Sequence, residues 1–109
     1  MTLQRPATLT DSFLRGLVAR VPSTSGGSWK LTEVYTGDLL VELPQSTPAD
    51  VEQAYVVARA AQQEWAARPL KERLAVFKRA HSLFLDNAQT TTDLIQAESG
   101  KNRRMAIEE

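Results

Sequence analysis

His81 is the one imidazole in this 109-residue chain, and no cysteine accompanies it. Nucleophilic catalysis needs a hydroxyl or thiol with a base in reach and a third group to orient that base. Serines and threonines are plentiful, so His81 is the base to weigh. It falls at the helical spacing of Leu74, Phe77 and Phe84, which reads as a structural histidine, packed or half-exposed, rather than a general base. Zinc sites need converging Cys, His or carboxylate ligands, and one His with no Cys excludes the usual sets. The acids stand singly apart from Glu108-Glu109, so they build no cage for a hard cation. Phosphate binding asks for a Gly-rich turn between a strand and a helix. Gly26-Gly27 lies before a strand, and Gly37 falls in a hairpin turn. Gly100-Lys101 has the ending of a phosphate loop, but the first Gly is missing and Asn102 stands where Ser or Thr belongs. It reads as a helix stop followed by a lysine near the carbonyl end. Lys101, Arg103 and Arg104 form a short basic cluster of the kind that faces solvent. The expectation is therefore no catalytic, no cofactor-binding and no metal-binding residue in this chain.

Composition agrees. Thirteen basic residues balance thirteen acidic ones, which argues against a nucleic-acid binder. No apolar run approaches the ~20 residues of a membrane span. A chain of this size is one domain or less and buries about 65% of its unfolded surface. The lack of cysteine fits a cytoplasmic protein. Residues 1–30 carry Arg5, Arg15, Arg20 and Lys30 against Asp11 alone, a transit-peptide-like composition. Phe13, Leu14, Leu17, Val18 and Val21 recur near helical spacing after Thr10 or Asp11, so the reading is a capped surface helix. No secretory signal is present in this reading, because the start lacks a compact apolar core.

The remaining elements follow from local chemistry. Pro22 to Ser28 is a Gly/Ser-rich break. Trp29–Tyr35 and Leu39–Leu43 read as two strands around Thr36-Gly37-Asp38, with Leu39, Val41 and Leu43 on one side. Gly37 is the position for positive φ, and Pro44 ends the second strand. Thr47-Pro48-Ala49-Asp50 is a helix start: the hydroxyl caps, the proline suits the first turn and the carboxylate meets the helix dipole. Val51, Ala54, Tyr55, Ala58, Ala61 and Trp65 share one face of that helix, and Glu64 and Arg68 stand at i,i+4. Pro69 stops it and opens the next. There Leu70, Leu74, Phe77, Phe84 and Leu85 trace an apolar stripe as far as Asn87. A third run from Thr90 or Thr91 to Ser99 stops at Gly100, and Asn102 caps a last helix that Glu109 cuts after two turns. Trp65, Phe77 and Phe84 read as core or interface anchors, each worth roughly 1.5–3 kcal/mol on burial.

In combination, Val34-Tyr35-Thr36-Gly37-Asp38, Thr47-Pro48-Ala49-Asp50-Val51 with the alanines to Trp65, Glu72-Arg73 and Glu98-Ser99-Gly100-Lys101 resemble the amino-terminal segment of the aldehyde dehydrogenase superfamily, most closely its succinate-semialdehyde dehydrogenase branch. The resemblance covers about two-thirds of the chain. Thr36-Gly37-Asp38 matches the Thr-Gly-acid part of the family's N-P-x-T-G-E turn, while the Asn-Pro part is replaced. It implies an α/β parent fold, of which this chain is an amino-terminal helix, a β-hairpin and three to four α-helices, mostly helical. Residues 29–109 would be the start of a truncated coenzyme-binding domain, and residues 1–28, read above as helix and flexible loop, would precede it. The parent would oxidise an aldehyde, succinate semialdehyde above others, with NAD or NADP, and would be a homo-oligomer. Its cysteine nucleophile, activating glutamate and coenzyme turn lie outside the matched motifs, so the chain alone is expected to be inactive and to bind no cofactor. Its partner would be the remainder of the dehydrogenase chain, with no nucleic acid and no membrane. Two other readings compete: a small α-rich interaction module using the Tyr55–Trp65 face, and a complementing piece of a split enzyme.

Overall fold

A computed structural model describes residues 4–108. Helix α1 (Asp11–Val18) begins where the Thr10 hydroxyl accepts from the Phe13 amide at 3.2 Å. Strands β1 (Ser28–Thr32) and β2 (Leu39–Pro44) form an antiparallel hairpin. Four helices follow: α2 (Pro48–Ala67), α3 (Leu70–Asp86), α4 (Ala88–Ser99) and α5 (Arg103–Glu108). The chain is thus mostly helical with one hairpin, as its sequence implies.

The hairpin departs from expectation in phase and length. β1 stops at Thr32, and residues 33–38 form the connection instead of continuing the strand to Tyr35. Ser28 pairs with Pro44 and Leu31 with Val41, but Thr32 pairs with Leu39. Leu40 is therefore left without a residue opposite it, as in a β-bulge, which re-aims a side chain. Leu40 is 4% exposed, whereas Leu39 is an exposed residue. The alternation places Leu39, Val41 and Leu43 on one side without saying which leucine is buried: L-L-V-E-L is apolar in both phases, and the register shift chooses Leu40.

Leu40 joins Leu9, Leu14 and Ala97, with Phe13, Leu31, Val41 and Leu94 against them. This small core lies between α1, the hairpin and α4. Nothing comparable covers α2 and α3. Tyr55 on α2 is 68% exposed and Phe84 on α3 is 67% exposed, and Leu70, Leu74, Phe77 and Leu85 are exposed with them. The molecule measures 55 × 35 × 23 Å with a radius of gyration of 17.3 Å. A compact domain of this length has a radius near 13 Å. The two longest helices project from the core.

Their joint is built at Pro69. Proline pushes Arg68 out of the α region, and Arg68 takes ψ 144°. The expected Glu64–Arg68 ion pair does not form. The Arg68 guanidinium instead lies 5.8 Å from the Trp65 ring centroid. Trp65 and Phe77 meet edge to face at 6.4 Å across the same joint.

Candidate functional site

Three polar constellations hold the described residues together. The first is the start of α2. The Thr47 hydroxyl accepts from the Asp50 amide, and the Asp50 carboxylate accepts from the Thr47 amide at 2.7 Å, a complete capping box. Thr24 adds its hydroxyl at 2.7 Å and its amide at 3.1 Å. The Thr47 amide, then the Thr24 hydroxyl and amide, hold the Asp50 carboxyl well below its ordinary 3.8, at about 2. The Ser/Thr-rich stretch before β1 forms no regular element, yet it is tied in place. Ser23 and Ser25 donate to the Gln45 carbonyl at 2.6 Å, and Ser46 donates to the Pro22 carbonyl at 2.6 Å. Short hydroxyl side chains replace backbone partners there. The sequence signal for these ties was composition alone, which does not name partners.

The second is the seam between the hairpin connection and the end of α4. The Glu33 carboxylate is buried and accepts from the Thr36 hydroxyl at 2.7 Å. The Gly37 amide donates to the Glu33 carbonyl at 2.8 Å, with Gly37 at φ 76°. The Val34 amide donates to the Ala97 carbonyl at 2.9 Å, and the Tyr35 hydroxyl to the Lys101 carbonyl at 2.9 Å. Gly100 caps α4 at φ 70°, and a Cβ there would stand 2.8 Å from Val34 Cγ1. Two of the sequence motifs, distant in the chain, therefore touch. Val34 stands where the family turn carries proline, and a proline has no N–H to give Ala97.

The third centres on Asp93 in α4, buried and bonded to the Thr8 hydroxyl at 2.7 Å and to Arg103 at 2.7 Å. Burial raises the carboxyl pKa, but the Thr8 bond and the Arg103 bond and charge outweigh it, so the net shift is downward. Arg103 also reaches Gln96 at 3.3 Å. Arg103 is thus a tie between α4 and α5, where the sequence suggested only a solvated cation.

None of these has the form of a reaction centre. His81 is exposed on α3 and forms no hydrogen bond with another described residue, because the stripe on which it was expected to pack has no cover. No group of three metal-ligating side chains occurs among the described residues. Glu109 of the terminal acid pair lies outside those residues. Among the described residues the sheet is an antiparallel pair, with no strand-to-helix crossover. The start of α2, where an anion would sit, is taken by the Asp50 carboxylate. Gly26-Gly27 leads into a strand and Gly100 ends a helix. No helix among the described residues is long and apolar enough to cross a membrane.

The comparisons give these constellations their context. The aldehyde dehydrogenase family profile matches residues 21–109. A Mycobacterium tuberculosis protein provisionally named succinate-semialdehyde dehydrogenase (NADP+) 2 is 43% identical over 106 residues, covering 95% of this chain and 20% of its own length. A Mycolicibacterium smegmatis protein with a similar provisional name is 40% identical over 104 residues, 95% of this chain and 20% of that one. The 3-sulfolactaldehyde dehydrogenase of Pseudomonas putida is 33% identical over 102 residues, 93% and 21%. The chain spans about a fifth of the length of these relatives. No solved structure matches it with significance. With the family profile spanning most of its length, and the Thr-Gly-Asp turn docked on the Glu-x-Gly-Lys helix end, the chain belongs to the aldehyde dehydrogenase family.

Proposed function

We propose that this chain is the amino-terminal segment of an NAD(P)-dependent aldehyde dehydrogenase that oxidises succinate semialdehyde to succinate. The observation that carries the reading is the 43% identity along 95% of this chain to a relative whose printed name specifies that aldehyde and NADP. Residues 1–28 are the N-terminal helix and loop, and residues 29–109 open the coenzyme-binding domain. The parent enzyme is a cytoplasmic homo-oligomer.

In this reading the segment does no chemistry. NAD(P), bound elsewhere in the parent, accepts the hydride. The hairpin and α4 form a stable base through the Val34–Ala97 and Tyr35–Lys101 bonds. From that base α2 and α3 offer their apolar faces as cladding for the rest of the domain. Unpartnered faces of this extent mark interaction surfaces. No residue of the segment is assigned a catalytic, cofactor-binding or metal-binding role.

The test is complementation. The 109-residue chain is mixed with the M. tuberculosis relative lacking its matching segment, and coenzyme reduction is followed with succinate semialdehyde. Neither piece turns over alone and the mixture does. Trp65→Ala abolishes the rescue, because Trp65 anchors the α2–α3 joint. Aldehyde oxidation by the isolated chain overturns the reading, as does a mixture that oxidises other aldehydes and leaves succinate semialdehyde untouched.

A further inference from the structure

Residues 4–20 lie ahead of the stretch that the family profile matches, yet they supply two of the four residues of the buried core cluster. Leu9 and Leu14 stand there against Leu40 of β2 and Ala97 of α4. The mycobacterial relatives align along 95% of this chain, a span long enough to include α1. This N-terminal strap reaches two other parts of the fold through polar bonds.

The first is β2. The Arg5 guanidinium donates to the Leu39 carbonyl at 2.6 Å and pairs with Asp11 at 2.9 Å. Leu39 stands at the register shift of the hairpin, so the strap grips β2 where its phase is decided. The second lies 85 residues further along the chain. The Thr8 hydroxyl donates to Asp93 Oδ2 at 2.7 Å, and Arg103 Nη1 donates to Asp93 Oδ1 at 2.7 Å. The Asp93 side chain is 9% exposed, and that of Arg103 is half-exposed. A carboxylate so buried depends on its donors, and each donor it keeps fixes it for the other. Arg103 opens α5, and a helix of six residues is marginal without outside support. That support comes from the Asp93 pair and from Ala106, which is buried.

We propose that residues 4–20 are a strap whose docking holds α5 in place from the other end of the chain, with the Asp93 carboxylate as the link between Thr8 and Arg103. Such coupling is reciprocal: releasing Thr8 loosens α5, and releasing Arg103 loosens the strap. The device belongs to the segment itself and does not depend on the parent reaction.

Amide hydrogen exchange of the 109-residue chain, read by nuclear magnetic resonance, tests it. One reporter is the Leu14 amide, which donates to the Thr10 carbonyl at 3.0 Å. The other is the Ala106 amide in α5, which donates to the Asn102 carbonyl at 3.0 Å. Thr8→Val is expected to speed exchange at Ala106 by at least about fivefold, the scale of one hydrogen bond to a buried charge. Arg103→Gln is expected to do the same at Leu14. Thr8→Ser keeps the hydroxyl and leaves Ala106 as in the wild-type chain. In the double variant T8V/R103Q the effect is smaller than the product of the single effects, because both act through Asp93. The Val34 amide, bonded to the Ala97 carbonyl, stays protected in Thr8→Val and shows that the core is closed. An Ala106 amide that exchanges at the wild-type rate in Thr8→Val overturns the proposal. So does a Leu14 amide indifferent to Arg103→Gln, or single effects that multiply in the double variant. Equal loss of protection at Val34 and Ala106 also overturns it, since the whole core would then have opened.

Discussion

The Asp50 carboxylate illustrates how a short polar side chain can hold three segments. It closes the capping box of α2 and takes two bonds from Thr24, so it joins the loop before β1 to the helix after β2. Its folded pKa of about 2 lies below its ordinary 3.8, so the unfolded chain binds more protons between those values. The contribution of Asp50 is complete above about pH 4 and is lost as the pH falls toward 2. Nuclear magnetic resonance titration of its carboxyl will show the low midpoint. Thr24→Val will raise that midpoint by removing the hydroxyl donor, while the Thr47 amide bond keeps it below the ordinary value. Gly100 is the second residue whose type is dictated. A side chain in the left-handed region costs about 1–2 kcal/mol. A Cβ at Gly100 would also meet Val34 at 2.8 Å. Gly100→Ala is expected to speed hydrogen exchange of the Val34 amide by at least the ~5–30-fold that 1–2 kcal/mol represents. Adding Val34→Ala restores the part due to contact and leaves the part due to φ.

The helices differ in what supports them more than in how well they are specified. α2 has the best start signal in the chain and 20 residues, yet its apolar face is bare. α4 has a weaker start at Asn87 with no side-chain cap bond, but Ala97 and Leu94 face the core. Most helical stability in proteins comes from packing an amphipathic face, so capping and support diverge here. Hydrogen exchange in the dilute chain will therefore show α2 and α3 amides exchanging faster than those of α4 and the hairpin, even though α2 is longer. Equal protection across all four elements would mean that the core does not set local stability. The hairpin teaches a related point. Its two strands, its glycine turn and its terminal proline were all readable, but the phase of β2 was not. Leu39 and Leu40 are chemically identical, and only a one-residue shift against Thr32 decides which is buried.

On the scale of the whole chain, the described residues form a small packed base with two long arms. Burying Phe77 or Phe84 is worth roughly 1.5–3 kcal/mol apiece, and that stabilisation is unrealised while the arms are free. In isolation the chain is expected to give a helical far-UV spectrum and a broad, weakly cooperative melt. With the remainder of the domain present the transition sharpens and its midpoint rises, since association stabilises the state that binds. A sharp, reversible, concentration-independent transition would refute this. The sequence by itself determined the family, the element order, the Thr47-Asp50 cap and the left-handed stop at Gly100. Each is a matter of local chemistry: a side chain meeting its own or a neighbouring backbone, or a residue type being present or missing. Only the tertiary structure decided that Leu40 enters the core, that the Val34 amide reaches Ala97, that Arg103 joins Asp93 to close α5 on α4, and that Arg68 turns to Trp65. It also left the α2 and α3 stripes uncovered. Periodicity tells which face of a helix is apolar, but what lies against that face is set by contacts between residues far apart in the chain.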